Sequence, residues 1–130
     1  MKLETMTMVE EELGEEAAAL FATPIHGGRM VNVTLIWHGA RVGRRYGEWV
    51  ENDNTLALGS CVRADSKDVW AAVDALTLKA GLSRGPMAWP ILARMVKALG
   101  TVLAKCGLWP EGWPLTEAER RAMDAEEVTG

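Results

Sequence analysis

Partway along this chain the hydrophobic repeat changes its period, and that change limits the fold to one class. Val31, Val33, Leu35 and Trp37 alternate with Asn32, Thr34, Ile36 and His38, the spacing that turns one side of a β-strand into a core. Further on, Leu92, Met95, Val96, Leu99, Val102, Leu103 and Cys106 recur at steps of three and four, the wide apolar face of a core-facing helix. Strands first and long helices afterwards predict an α+β fold, an antiparallel sheet with helices gathered on one face.

The period-two patterns predict a three-stranded antiparallel meander. Its strands run from Arg29 to His38, from Arg41 to Val50, and from Thr55 to Arg63 with Leu56, Leu58 and Val62 on one face. Between the last two, Glu51–Asn54 is rich in residues that tolerate left-handed turns. Glycines at 43, 47 and 59 weaken the strands or mark bulges. Two long helices should cover the face bearing Val31, Val33 and Leu35, since three strands cannot bury a core alone.

The helix patterns have recognisable ends. Asp65 or Ser66 is placed to cap a helix over Lys67–Ala80, with Gly81 after it. Pro90 sits in the first turn of a helix reaching Cys106, stopped by Gly107, with Gly100 in its middle. The Thr116–Glu119 stretch matches a capping box opening a short, mostly polar helix to about Glu127, within a C-terminal stretch of 114–130. An acidic N-terminal helix is expected over Val9–Ala22, from Val9, Leu13, Ala17 and Leu20 at helical spacing and acids in its first turns. Residues 1–7 read as a loose start.

At 130 residues, 48% hydrophobic and 25% charged, residues 1–130 are expected to form one globular domain with a single core. Six Trp at 37, 49, 70, 89, 109 and 113 outnumber one Tyr and one Phe, and most should anchor the core. No run of about 18 to 20 consecutive apolar residues appears, and the start is acidic where a secretory signal is basic. The chain therefore reads as cytoplasmic with no membrane partner. Cys61 and Cys106 resemble neither a disulfide framework nor a zinc knuckle.

Charge is sorted by position. Met1–Ala22 holds one Lys against six acids, a net of −5; Thr23–Trp109 holds eleven Lys/Arg against six acids, a net of +5; Pro110–Gly130 holds two Arg against six acids, a net of −4. A basic middle between acidic ends suits a surface that meets a macromolecule, a second copy of the chain included.

Three candidate surfaces follow. The Arg41–Trp49 segment interleaves Arg41, Arg44 and Arg45 with Tyr46 and Trp49, a composition suited to protein contact or to gripping phosphates and stacking bases. Arg44 and Arg45 point to opposite faces of a strand, and a charged, solvated edge strand explains the same residues. Arg94, Lys97 and Lys105 fall within roughly 80° of one another on a helix, a basic ridge opposite the apolar face. A helix-turn-helix built from this region is disfavoured by Pro86 and Pro90 at the start of the would-be reading helix. Trp109 and Trp113, stiffened by Pro110 and Pro114, are either exposed anchors for a partner or rings folded back onto the core.

Catalysis has little to stand on. For His26, in a Gly-rich loop, to serve Cys61 as a base, folding must bring the two together, and no third orienting residue is evident. His38 reads as a turn residue at a strand end. No phosphate loop, dinucleotide fingerprint or metal-ligand spacing occurs, so no catalytic residue, metal or cofactor is assigned. The expectation is a non-enzymatic macromolecular-interaction protein, an adaptor, assembly factor or inhibitor, with another protein as partner. Nucleic-acid binding through the Arg strand and basic ridge is the first alternative, and a small His/Cys enzyme the second.

Overall fold

Val31, Val33, Leu35 and Trp37 are all buried, and the strand that carries them lies inside a four-stranded antiparallel sheet. The computed structural model describes residues 7–13, 16–38, 43–45, 48–50 and 56–129. Its strands are β1 (Thr7–Leu13), β2 (Glu16–Ile25), β3 (Met30–His38), β4 (Gly43–Arg45), β5 (Glu48–Val50) and β6 (Leu56–Arg63). Three helices follow: α1 (Ser66–Arg84), α2 (Trp89–Lys105) and α3 (Glu117–Thr129). The main sheet has the order β1-β2-β3-β6, and β4 and β5 form a separate two-stranded hairpin.

The α+β class, with an antiparallel sheet covered on one face by two long helices, is the fold of this protein. Two strand assignments differ from the sequence expectation. β4 and β5, the described parts of the expected Arg41–Val50 strand, do not enter the main sheet: β3 pairs directly with β6, from Met30 opposite Arg63 to Trp37 opposite Leu56. The place beside β3 is taken instead by β2, from Ala17 opposite His38 to Ile25 opposite Met30.

The expected acidic helix over Val9–Ala22 is therefore corrected to two strands, β1 and β2, paired antiparallel with Val9 opposite Leu20. Ala17–Ala22 is short and apolar enough to satisfy both periods. Its alanines favour a helix locally, but six cross-strand partners on β3 outweigh that preference, because strand formation follows tertiary context more than intrinsic tendency. Read with period two, Ala18, Leu20 and Ala22 are buried in register with Trp37, Leu35 and Val33.

The helix layer follows its capping signals. Asp65 caps α1, its carboxylate accepting from the Asp68 amide at 2.9 Å. The helix does not stop at Gly81 but continues to Arg84, and the chain turns at Gly85 with φ 94°. Gly81 is needed for another reason: a Cβ there would overlap three ring carbons of Trp89 on α2. Gly107, at φ 74°, closes α2 as expected. Its amide bonds to Ala104 O and that of Leu108 to Leu103 O, the paired bonds of a Schellman ending.

α2 contacts β1 and β2 while α1 contacts β3 and β6, and α3 packs on both helices. The core between them contains Val69, Val73, Leu92, Met95, Val96, Leu99 and Leu103, all fully buried. By length and composition the stretch Pro86–Lys105 could cross a membrane, yet 44% of it is buried inside this fold. In this fold its apolar face is spent on the sheet and on α3.

Candidate functional site

The start of α3 is secured by several side-chain hydrogen bonds, and it shapes the surface beside it. Thr116 and Glu119 form the capping box read from the sequence: Glu119 N donates to Thr116 Oγ1, and Thr116 N donates back to Glu119 Oε1, each at 3.2 Å. Thr116 Oγ1 also donates to that Oε1 at 3.2 Å. α1 holds the same junction from below. Trp70 Nε1 donates to Pro114 O at 3.3 Å, and the Glu117 amide donates to Asp74 Oδ1 at 2.7 Å. A carboxylate at a helix N-terminus meets both an unpaired amide and the favourable end of the helix dipole.

The Trp109–Pro114 loop leading to this junction folds back over α2. Trp109 is 5% exposed, so its ring belongs to the core, contrary to its expectation as a partner-binding residue. Its ring lies against Trp113, with centroids 5.5 Å apart and planes tilted by 58°, a favoured aromatic arrangement. Both rings rest on Gly100, where a Cβ would stand 2.5 Å from Trp113 Cη2 and 2.9 Å from Trp109 Cε2. The glycine in mid-helix that weakens α2 locally is the seat for these rings. Among the described residues the Trp109 indole N–H is buried without a hydrogen-bond acceptor.

Trp113 is different. It is half-buried, and its backbone is held at φ 43°, a left-handed conformation that a bulky residue seldom adopts. Its ring lines a groove of about 610 Å³ between α2 and α3. α2 supplies Pro90, Ala93, Arg94, Lys97 and Thr101, and α3 supplies Ala122 and Met123. Leu115 (40% exposed) and Met123 (50% exposed) stand at its rim. Glu119 also lines it, but that residue is 8% exposed and its carboxylate is engaged in the capping box. Arg94 and Lys97 are the exposed cations of the groove, above a mostly apolar floor.

Of the sequence candidates, the fold thus brings together Arg94, Lys97 and Trp113. Lys105, the third member of the basic ridge, is exposed in the last turn of α2 but does not line the groove. Arg44, Arg45 and Trp49 lie on the separate hairpin, with Arg44 opposite Trp49 and Arg45 opposite Glu48. Arg41 and Tyr46 lie outside the described residues. Sequence reasoning missed Leu115 and Met123. The available signal was Met123 itself, a large apolar residue between Ala122 and Asp124 in an otherwise polar helix.

The histidine and cysteine candidates are not brought to one place. Cys61 is exposed on the sheet face away from the helices, in register with Asn32. His26 lines a second hollow, of about 620 Å³, with Pro24, Val31, Ala64 and the Cys106–Leu108 turn. His38 closes β3 opposite Ala17. Among the described residues no group of three His, Cys, Asp or Glu side chains is arranged to hold a metal ion. No family model, no curated protein and no solved structure matches this chain.

Proposed function

We propose that this chain is a protein-binding domain, an adaptor or assembly factor, whose α2–α3 groove seats an acidic amphipathic segment of a partner protein. The observation that carries this reading is Trp113: a partly buried ring held at φ 43° in a groove rimmed by exposed Leu115 and Met123. Backbone strain at a bulky residue is retained where the position is used. Aromatic anchors in apolar pockets supply most of the energy at protein interfaces. Arg94 and Lys97 beside that floor select carboxylates near the anchors, and such charges set register and partner choice more than raw affinity.

The test is selection of a displayed random-peptide library against the full chain. Enriched peptides should carry large apolar residues three or four apart with Asp or Glu between them. Their binding should fall at least roughly tenfold in Lys97→Glu, as expected when like charges are set against each other. No enrichment, or peptides that bind Lys97→Glu and Met123→Glu as well as the parent chain, would overturn the assignment.

A second reading, nucleic-acid binding through the β4–β5 hairpin, draws support from the register that sets Arg44 opposite Trp49. Its mark is an affinity for single-stranded polyanions that falls steeply with salt and is lost in Arg44→Ala/Arg45→Ala. Absence of retention on a polyanion column at low salt removes it.

A further inference from the structure

The two edges of the main sheet are built differently. β1 reads TMVEEEL, with three consecutive acids, whereas β6 reads LALGSCVR, with a single charge at its last residue. Natural edge strands are kept from pairing by charges, prolines, bulges or a covering element. β6 has eight residues, no proline and no acid, and among the described residues no strand lies beyond it. Its alternation of half-buried and exposed residues is unbroken from Leu56 to Arg63, so it is a regular template for a further strand.

We propose that β6 is the interface of a two-fold dimer, in which a second copy of this chain pairs its own β6 antiparallel to the first and the two sheets become one of eight strands. A two-fold normal to the sheet must pair residues that point to the same side. Centring it on Ser60 sets Leu58 opposite Val62 of the second copy on the helix side, and Gly59 opposite Cys61 of the second copy on the other.

The helix above β6 carries a matching pattern. α1 is joined to α2 and α3 through Trp70, Asp74 and Gly81. Roughly 100° or more around the helix from these residues lie Asp68, Ala72, Ala75 and Lys79, on the flank that overhangs β6. Paired strands stand about 4.8 Å apart, and α1 lies over β3 and β6. The two copies of α1 would therefore run roughly 10 Å apart, the separation of packed helices.

From Ser60 to the end of β6 is about 10 Å at ~3.4 Å per residue, and the same distance back along α1 at ~1.5 Å per residue reaches the Val73–Asp74 region. Asp68 and Lys79 lie equally far on either side of that point, as do Ala72 and Ala75. Two antiparallel copies of α1 thus set Asp68 against Lys79 of the second copy twice, with exposed Ala75 near the crossing and Ala72, 6% exposed, already packed into the core beneath it. An edge of ~27 Å with sheet and helix depth of roughly 20 Å offers ~500 Å² of planar area per copy, about 1,000 Å² in all, the size of a weak, concentration-dependent dimer. This surface is separate from the α2–α3 groove, so Lys97→Glu should leave the dimer intact.

Sedimentation velocity of the full chain across a concentration series tests the proposal. A two-chain species is expected, and Lys79→Asp should raise its dissociation constant at least roughly tenfold by placing two acids together. Asp68→Lys should do the same, and the double variant Asp68→Lys/Lys79→Asp should recover most of the loss. Circular dichroism and the melting curve of the monomer report whether each variant is folded. A chain that stays monomeric throughout, a dimer indifferent to Lys79→Asp, or no recovery in the double variant would overturn the proposal. So would a monomer that accepts only an extended peptide of another protein on β6.

Discussion

Two glycines inside helices each receive a tryptophan ring, and the two contacts differ in what covers the ring's other side. Trp89 sits on Gly81, is 7% exposed, and carries the Arg121 guanidinium 5.0 Å from its ring centroid. Arg121 is held there by Glu117, with Nε 3.1 Å from Oε1. Trp113 sits on Gly100 beside Trp109, and its remaining surface faces the groove. The same device gives a closed joint when the ring is covered on both sides and a contact surface when it is covered on one. Stability should therefore concentrate at the first pair and recognition at the second.

Trp89→Ala is the most severe test of that division. Removing a buried Trp costs about 3–5 kcal/mol through lost burial and the cavity left behind. Trp113→Ala should cost less, because its ring is only partly buried and lines the groove, while abolishing peptide capture there. Urea unfolding of both variants, with binding measured in parallel, gives the comparison directly. Equal losses of stability would erase the distinction between a joint and a surface.

The glycines themselves sharpen it. Gly81→Ala gains roughly 1 kcal/mol of helix propensity but forces a methyl into the Trp89 ring, which Arg121 prevents from moving away; overpacking of this kind costs about 1–3 kcal/mol. A net loss is expected. At Gly100 the closest clash is with Trp113, which borders the open groove, and a lesser one is with buried Trp109 at 2.9 Å, so Gly100→Ala should lose less stability and alter tryptophan emission and peptide affinity as well. A larger loss at Gly100 than at Gly81 would mean that Trp113 is as firmly fixed as Trp89.

These glycines also mark where the sequence stops being readable. Gly81 carried the signature of a helix end and Gly100 that of a weak point, because a glycine's local meaning is the same whether it frees the backbone or makes room for a ring. The room is needed only by residues 8 to 13 positions away, and no local pattern states that. Local chemistry was legible: Asp65, Gly107 and the Thr116–Glu119 box act within four residues and do what their spacing implies. Strand partners were not, since Ala17–Ala22 fits either period until β3 selects one. For the site, the cations Arg94 and Lys97 were visible on one helix face, but the groove needed Met123 and Leu115 from the far side of a folded loop.

The smallest expected effect probes the cover on Trp89. Arg121→Gln removes the cation over the ring and its pair with Glu117; a cation over an indole contributes about 0.5–1 kcal/mol at a partly exposed site. Arg120 is the control on the same helix. It also approaches Glu117, at 3.6 Å, but its side chain is 63% exposed, and exposed pairs of that kind contribute close to nothing measurable. Arg121→Gln should therefore lower the urea midpoint and Arg120→Gln should leave it unchanged. The Arg121 effect should also shrink when Trp89 is replaced by Leu, which removes the ring but keeps an apolar side chain against Gly81. An Arg121→Gln loss that persists in Trp89→Leu would assign its contribution to the Glu117 pair rather than to closing the joint.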